Sequence, residues 1–129
     1  MGACYSVTLK VKVLDEQGAI NALNEHIDKT KDFINYSLDK YKEQGITTET
    51  FDDLMRIYLA GWNHQKLDIE RKRTYTYYEN EFNASYGWES VILDMFKIIA
   101  PYVKDNSELI MYPDEGFYKL RVKNGLCLY

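Results

Sequence analysis

The chain predicts an α+β domain, a mostly antiparallel sheet covered on one face by about three helices, in the order β-α-α-β(β)-α-β-β-β. Three patterns carry that expectation. The first segment alternates apolar and polar residues, three later stretches repeat apolar residues at helical spacing, and the last third contains Asn124-Gly125 between short extended runs. One helical layer over one face of such a sheet buries every apolar stripe at once.

In the first segment Tyr5, Val7, Leu9, Val11 and Val13 fall on one side, with Ser6, Thr8, Lys10 and Lys12 on the other. Period two with β-branched residues makes a strand with one buried face. Asp15-Glu16-Gln17-Gly18 then provides a turn and acidic groups beside a helix start. Ile20, Leu23, Ile27, Ile34, Leu38 and Tyr41 mark one face of a long helix from about 18 to 43, which His26, Phe33 and Tyr36 can broaden, with Gly45 near its stop.

Thr50 followed by Asp53 resembles a helix entrance, a role that Thr47 or Thr48 would serve equally well, and Phe51, Leu54, Met55, Tyr58 and Trp62 recur at helical spacing up to about Gly61. Residues 67–86 fit either one interrupted strand or a hairpin, with Glu79-Asn80-Glu81 as a turn, a bulge or part of one long twisted strand. Gly87 to Ala100 is the clearest short helix, apolar at Val91, Ile92, Met95, Phe96 and Ile99, and Pro101 marks its exit. A strand meander follows: Glu108 to Tyr112, then Phe117 to Lys123, then Leu126 to Tyr129. Asn-Gly joins the last two because both residues tolerate positive φ.

The length of 129 residues suits one domain and one two-layer core, so residues 1–129 are expected to form a single compact unit. Average hydrophobic content and no Pro/Gly/Ser-rich stretch argue against global disorder. A net charge of −4 recommends neither duplex DNA nor an anionic membrane. Cys4 and Cys127 fit reduced thiols in a cytoplasmic protein, and no apolar run spans a bilayer. Met1-Gly2-Ala3-Cys4-Tyr5-Ser6 matches a minimal myristoylation pattern. Strand alternation begins so soon afterwards that lipid anchoring is not expected.

Tyrosine is abundant, twelve residues, and the densest run, Tyr75-Thr76-Tyr77-Tyr78, follows Arg71-Lys72-Arg73. Twelve lysines against four arginines, with plentiful Asn and Ile, suggest the composition of an AT-rich bacterial or mobile-element genome. That bias would explain part of the tyrosine number and none of its placement. Residues 15–65 hold ten acids and five bases, net −5, whereas 66–78 hold four bases and two acids, net +2. An acidic helical layer opposite a basic, tyrosine-bearing sheet face is therefore expected.

The candidate binding platform on that face is Arg71, Arg73, Tyr75, Tyr77, Lys119, Arg121 and Lys123. Arginine forks and rigid tyrosine rings suit an acidic protein surface. A non-enzymatic interaction or regulatory protein, an inhibitor or adaptor, is the expected role, binding a protein partner or a second copy of itself. Single-stranded nucleic acid is the first alternative, since bases stack on tyrosine. Asp68, Glu70, Glu79 and Glu81 flank the basic run and weaken a phosphate track.

A small enzyme is the second alternative and is less expected. His26 and His64 have no fixed acidic partner, Asp52-Asp53 is adjacent rather than helically stacked, and the seven glycines match no phosphate loop. No catalytic, cofactor or metal residue is assigned. The corner at Gly87-Trp88 offers backbone donors to an anion, although a packing role for Trp88 beside Glu89 explains it more simply.

Overall fold

A computed structural model describes residues 2–61, 67–114 and 116–128. Strand β1, Gly2–Val11, lies inside a six-stranded sheet with β2 (Asp68–Arg71), β3 (Thr76–Ser85), β4 (Glu108–Tyr112), β5 (Tyr118–Lys123) and β6 (Leu126–Leu128). The strand order is β2-β3-β1-β4-β5-β6, and every neighbouring pair is antiparallel. Helices α1 (Glu16–Thr30), α2 (Leu38–Glu43), α3 (Phe51–Leu59) and α4 (Trp88–Ile99) cover one face, as the sequence pattern predicts.

The odd residues of β1 decide which face is inner. Tyr5, Val7, Leu9 and Val11 are buried, and across the pairing register they meet Phe82 and Tyr78 of β3 and Leu109 and Met111 of β4. Leu120 and Val122 extend that layer into β5. Leu23 and Ile27 of α1, Leu54 and Met55 of α3, and Ile92, Met95 and Phe96 of α4 close the core from above. Each fully buried side chain of that size contributes about 1.5–3 kcal/mol, which is why period-two and helical patterns dominate the fold.

Helix starts follow local chemistry. Asp15 caps α1 by accepting from Gly18 N at 3.0 Å, and Thr50, one of the three entrances the sequence allows, caps α3 by accepting from Asp53 N at 3.2 Å. Gly87 opens α4 with φ of 85°, a left-handed conformation that costs glycine little. The donors at that corner are used internally: Trp88 N donates to the Tyr5 hydroxyl at 3.2 Å, and that hydroxyl donates to Glu89 at 2.8 Å. Trp88 is buried, with its indole N–H on the Tyr58 carbonyl at 2.8 Å, so it acts as a packing residue.

Two expectations are corrected. The long helix of residues 18–43 is two helices, separated by residues 31–37. Asn35 accepts from Ser37 N at 3.0 Å, Ser37 sits at φ 57°, and Thr30 donates to the His26 carbonyl at 2.8 Å. Those local side-chain bonds compete with helical ones and end the helix. The break turns Tyr36 inward, where its ring meets Tyr58 at 5.7 Å and Trp88 at 6.1 Å, both edge-on. Phe33, expected to widen the apolar face, is 75% exposed.

Residues 67–86 form a hairpin, one of the two arrangements the sequence leaves open. Residues 68–85 turn at Lys72–Tyr75, closed by Lys72 N donating to the Tyr75 carbonyl at 2.9 Å. The candidate turn at Glu79-Asn80-Glu81 is mid-strand, opposite Thr8, Val7 and Ser6 of β1. Ten residues of β1 pair with ten of β3, and that long ladder overrides the local turn propensity. Trp62 and His64 lie outside the described residues, as do Glu115 and Tyr129.

Candidate interaction surface

Among the described residues nothing covers the face away from the helices, and strand pairing sets its side chains in rows. One row runs Asp68, Glu79, Thr8, Ile110 and Lys119 across β2, β3, β1, β4 and β5. The next runs Glu70, Tyr77, Lys10, Glu108, Arg121 and Leu128. Glu81, Ser6 and Tyr112 form a third, and Tyr112 stacks on Phe117 with ring centroids 4.9 Å apart.

The expected basic face is thus a banded one. Asp68, Glu70, Glu79 and Glu81 make its β2–β3 side acidic, and Lys119, Arg121 and Lys123 make β5 basic, all exposed. The physical reason is the hairpin position: with the turn at Lys72–Tyr75, Glu79 and Glu81 keep the strand's outward parity.

Between the bands lie Thr8, Ile110 and Tyr112. Among the described residues, seven large hydrophobics are exposed, and four of them, Tyr112, Phe117, Leu126 and Leu128, belong to the β4–β6 part of this face. Single exposed apolar residues are ordinary, whereas a cluster on one uncovered sheet is characteristic of a contact surface.

The seven platform residues do not share one surface. Lys119, Arg121 and Lys123 stand together on β5. Tyr77 is on the same face, half-buried, with the Lys72 ammonium 4.9 Å from its ring centroid. Tyr75 is held at the end of the sheet: its hydroxyl donates to the Asp105 carbonyl at 2.9 Å, and Lys10 and Lys104 lie 4.7 and 5.5 Å from its ring.

Arg73 sits in the hairpin turn. Arg71 pairs across the ladder with Thr76 on the helix side, where it forms an ion pair with Asp52 at the start of α3. Tyr78 donates to the same carboxylate at 2.6 Å. Asp52 beside Arg71 holds the guanidinium even more firmly protonated, and burial first, then Asp52, pushes the Tyr78 hydroxyl up. This trio ties the hairpin to the helical layer.

Tyrosine number divides in the same way. Tyr5, Tyr36, Tyr41, Tyr58 and Tyr78, five of the twelve, are buried in the core. Burial first, then the Glu89 carboxylate, pushes the Tyr5 hydroxyl up to about 12.

His26 is half-buried on α1, and no group of three or more His, Cys, Asp or Glu among the described residues is placed to hold a metal ion. Cys4 is outside on β1 and Cys127 inside on β6, three strand positions apart, about 14 Å at ordinary strand spacing, too far for a disulfide. Burial pushes the Cys127 thiol up, away from the thiolate a nucleophile needs.

No family model, curated protein or solved structure matches the chain. Among the described residues no helix is long and apolar enough to cross a membrane.

The sequence pattern found β5 and missed Ile110, Tyr112, Leu126 and Leu128 as members of the surface. Outward parity at Phe117, Lys119, Arg121 and Lys123 was the available signal; carried across the two flanking hairpins it reaches Tyr112 and Leu126.

Proposed function

We propose that this chain is a non-enzymatic interaction protein, an inhibitor or regulatory adaptor of the cytoplasm, that binds a protein through its uncovered sheet face. The observation that carries the proposal is the Tyr112–Phe117 pair with Leu126 and Leu128, exposed beside the Lys119, Arg121 and Lys123 row. Rigid aromatic anchors next to arginine and a charged rim are the usual composition of protein-binding sites. Reduced thiols on opposite faces of the sheet suit a reducing compartment.

The acidic band weighs against the nucleic-acid alternative, because four carboxylates beside Tyr77 repel a phosphate backbone. The deciding experiment is cross-linking and affinity capture in native extract, with the Tyr112→Asp/Phe117→Asp double variant alongside. A stoichiometric protein partner, either a second copy or another chain, should be captured by the native protein and lost with the variant. Equal capture by a variant whose circular dichroism is unchanged would reject this face. Salt-sensitive binding of single-stranded DNA or RNA in anisotropy, lowered by Tyr77→Ala and Arg121→Ala, would favour the alternative.

A further inference from the structure

We infer that the partner of this face is a second copy of the chain, docked sheet to sheet about a two-fold axis that runs parallel to the strands. The inference rests on the surface assignment above and deepens it.

The direction of the charge gradient selects that axis. Acid and base are separated across the strands: Glu79 and Glu81 on β3, Lys119, Arg121 and Lys123 on β5. The strand order β2-β3-β1-β4-β5-β6 has its midpoint between β1 and β4. A two-fold axis along the strands at that midpoint exchanges β3 with β5 and β1 with β4. It lays the acidic band of each copy on the basic band of the other.

An axis across the strands instead places β3 on β3 and β5 on β5, setting like charges face to face. Like charges set face to face in a desolvated interface repel, so the charge pattern selects the axis along the strands. Two-fold interfaces are isologous, so each favourable pair occurs twice.

The rows identify the contacts. An axis along the strands keeps each row at its own height, so Glu79 of one copy meets Lys119 of the other, from the same row. Tyr77 meets Arg121 likewise, an arginine over a tyrosine ring. Around the axis lie Thr8, Ile110 and Tyr112, together with Lys10 and Glu108 of the next row, which the axis exchanges so that Lys10 of one copy meets Glu108 of the other. Opposite charges therefore meet at the centre as well as on the flanks. Sheets that pack face to face cross at about 30°, a rotation that moves rows near the axis least.

The test is sedimentation of the purified chain over a concentration series, for the native protein and for Glu79→Lys and Lys119→Glu. The native chain should sediment as a dimer that weakens with salt. Each single reversal places two like-charge pairs in its own homodimer and should raise the dissociation constant about tenfold or more. An equal mixture of the two reversals should dimerise again, because in the mixed dimer both pairs are opposite in sign. That restoration also shows both variants folded.

A native chain that stays monomeric throughout, a dimer indifferent to either reversal, or a mixture no stronger than its components would each overturn the inference. Indifference to reversal would move the contact to a sheet edge. A monomer that still captures another protein through Tyr112 and Phe117 would leave the surface assignment standing. A monomer that captures nothing would end both.

Discussion

The two ends of the sheet divide the work that composition alone assigns to one of them. The β2–β3 hairpin holds Arg71-Lys72-Arg73 and the Tyr75–Tyr78 run, the most conspicuous stretch of the chain. Its conspicuous residues are largely spent within the fold: Arg71 and Tyr78 on Asp52, and Tyr75 on Asp105. The β4–β6 meander is unremarkable in composition, yet it presents Tyr112, Phe117, Leu126 and Leu128 to solvent beside three bases. Local density of binding-type residues is therefore a poor guide to a surface. Parity and pairing decide which of them face outward.

The comparison breaks most readily at Tyr78. Its ring is buried against Phe51, centroids 6.0 Å apart, under the hairpin. Tyr78→Ala should cost about 3–5 kcal/mol of stability, measured by urea unfolding, through the lost burial and cavity. Loss below about 1 kcal/mol would mean that the hairpin is not docked on α3.

On the other side, Tyr112→Ser/Phe117→Ser should cost no more than about 1.5 kcal/mol of stability. Binding should fall by about 2 kcal/mol or more, roughly thirtyfold, in titration against the captured partner. The two substitutions together separate a residue that holds the fold from residues that use it.

An alkaline titration sharpens the same division. Tyr5, Tyr36, Tyr58 and Tyr78 all have hydroxyls raised by burial, and that of Tyr5 reaches about 12. Between their unfolded value near 10 and the raised folded value, the unfolded chain binds fewer protons than the folded one. Stability should hold up to about pH 10 and fall as pH rises towards 12. Tyr5→Phe should lower stability at neutral pH by about 1–2 kcal/mol and make the alkaline fall shallower. An unchanged alkaline slope would remove Tyr5 from this account.

Arg71→Met should have the smallest effect. The pair with Asp52 is largely exposed, 61% on the arginine side, so its loss should cost about 0.5–1 kcal/mol, mostly at low salt. Capture through the outer face should be unchanged. Reduced capture with normal stability would return Arg71 to the binding surface.

The fold was largely legible because its signals are periodic. The alternation from Tyr5 to Val11, the apolar face of Val91–Ile99 and the Asn-Gly turn each act over a few residues and agree with the packing that follows. The break after Thr30 was hidden because Ile34 and Leu38 continue the helical spacing, and nothing in spacing shows that Tyr36 packs on Tyr58 and Trp88. The surface was only half legible. Outward parity placed Lys119, Arg121 and Lys123 correctly within β5, while the facing of Glu79, Glu81 and Arg71 depended on where the hairpin turns and on the β1–β3 register. Long-range pairing of that kind leaves no local trace.

Lysine reactivity mapped along the chain, in native extract and in dilute purified protein, tests the interaction surface most directly. Lys119 and Lys123 on the outer face should lose reactivity in extract, whereas Lys29 and Lys31 at the end of α1 should react equally in both. Protection on the helical side, with β5 as reactive in extract as in dilution, would contradict it.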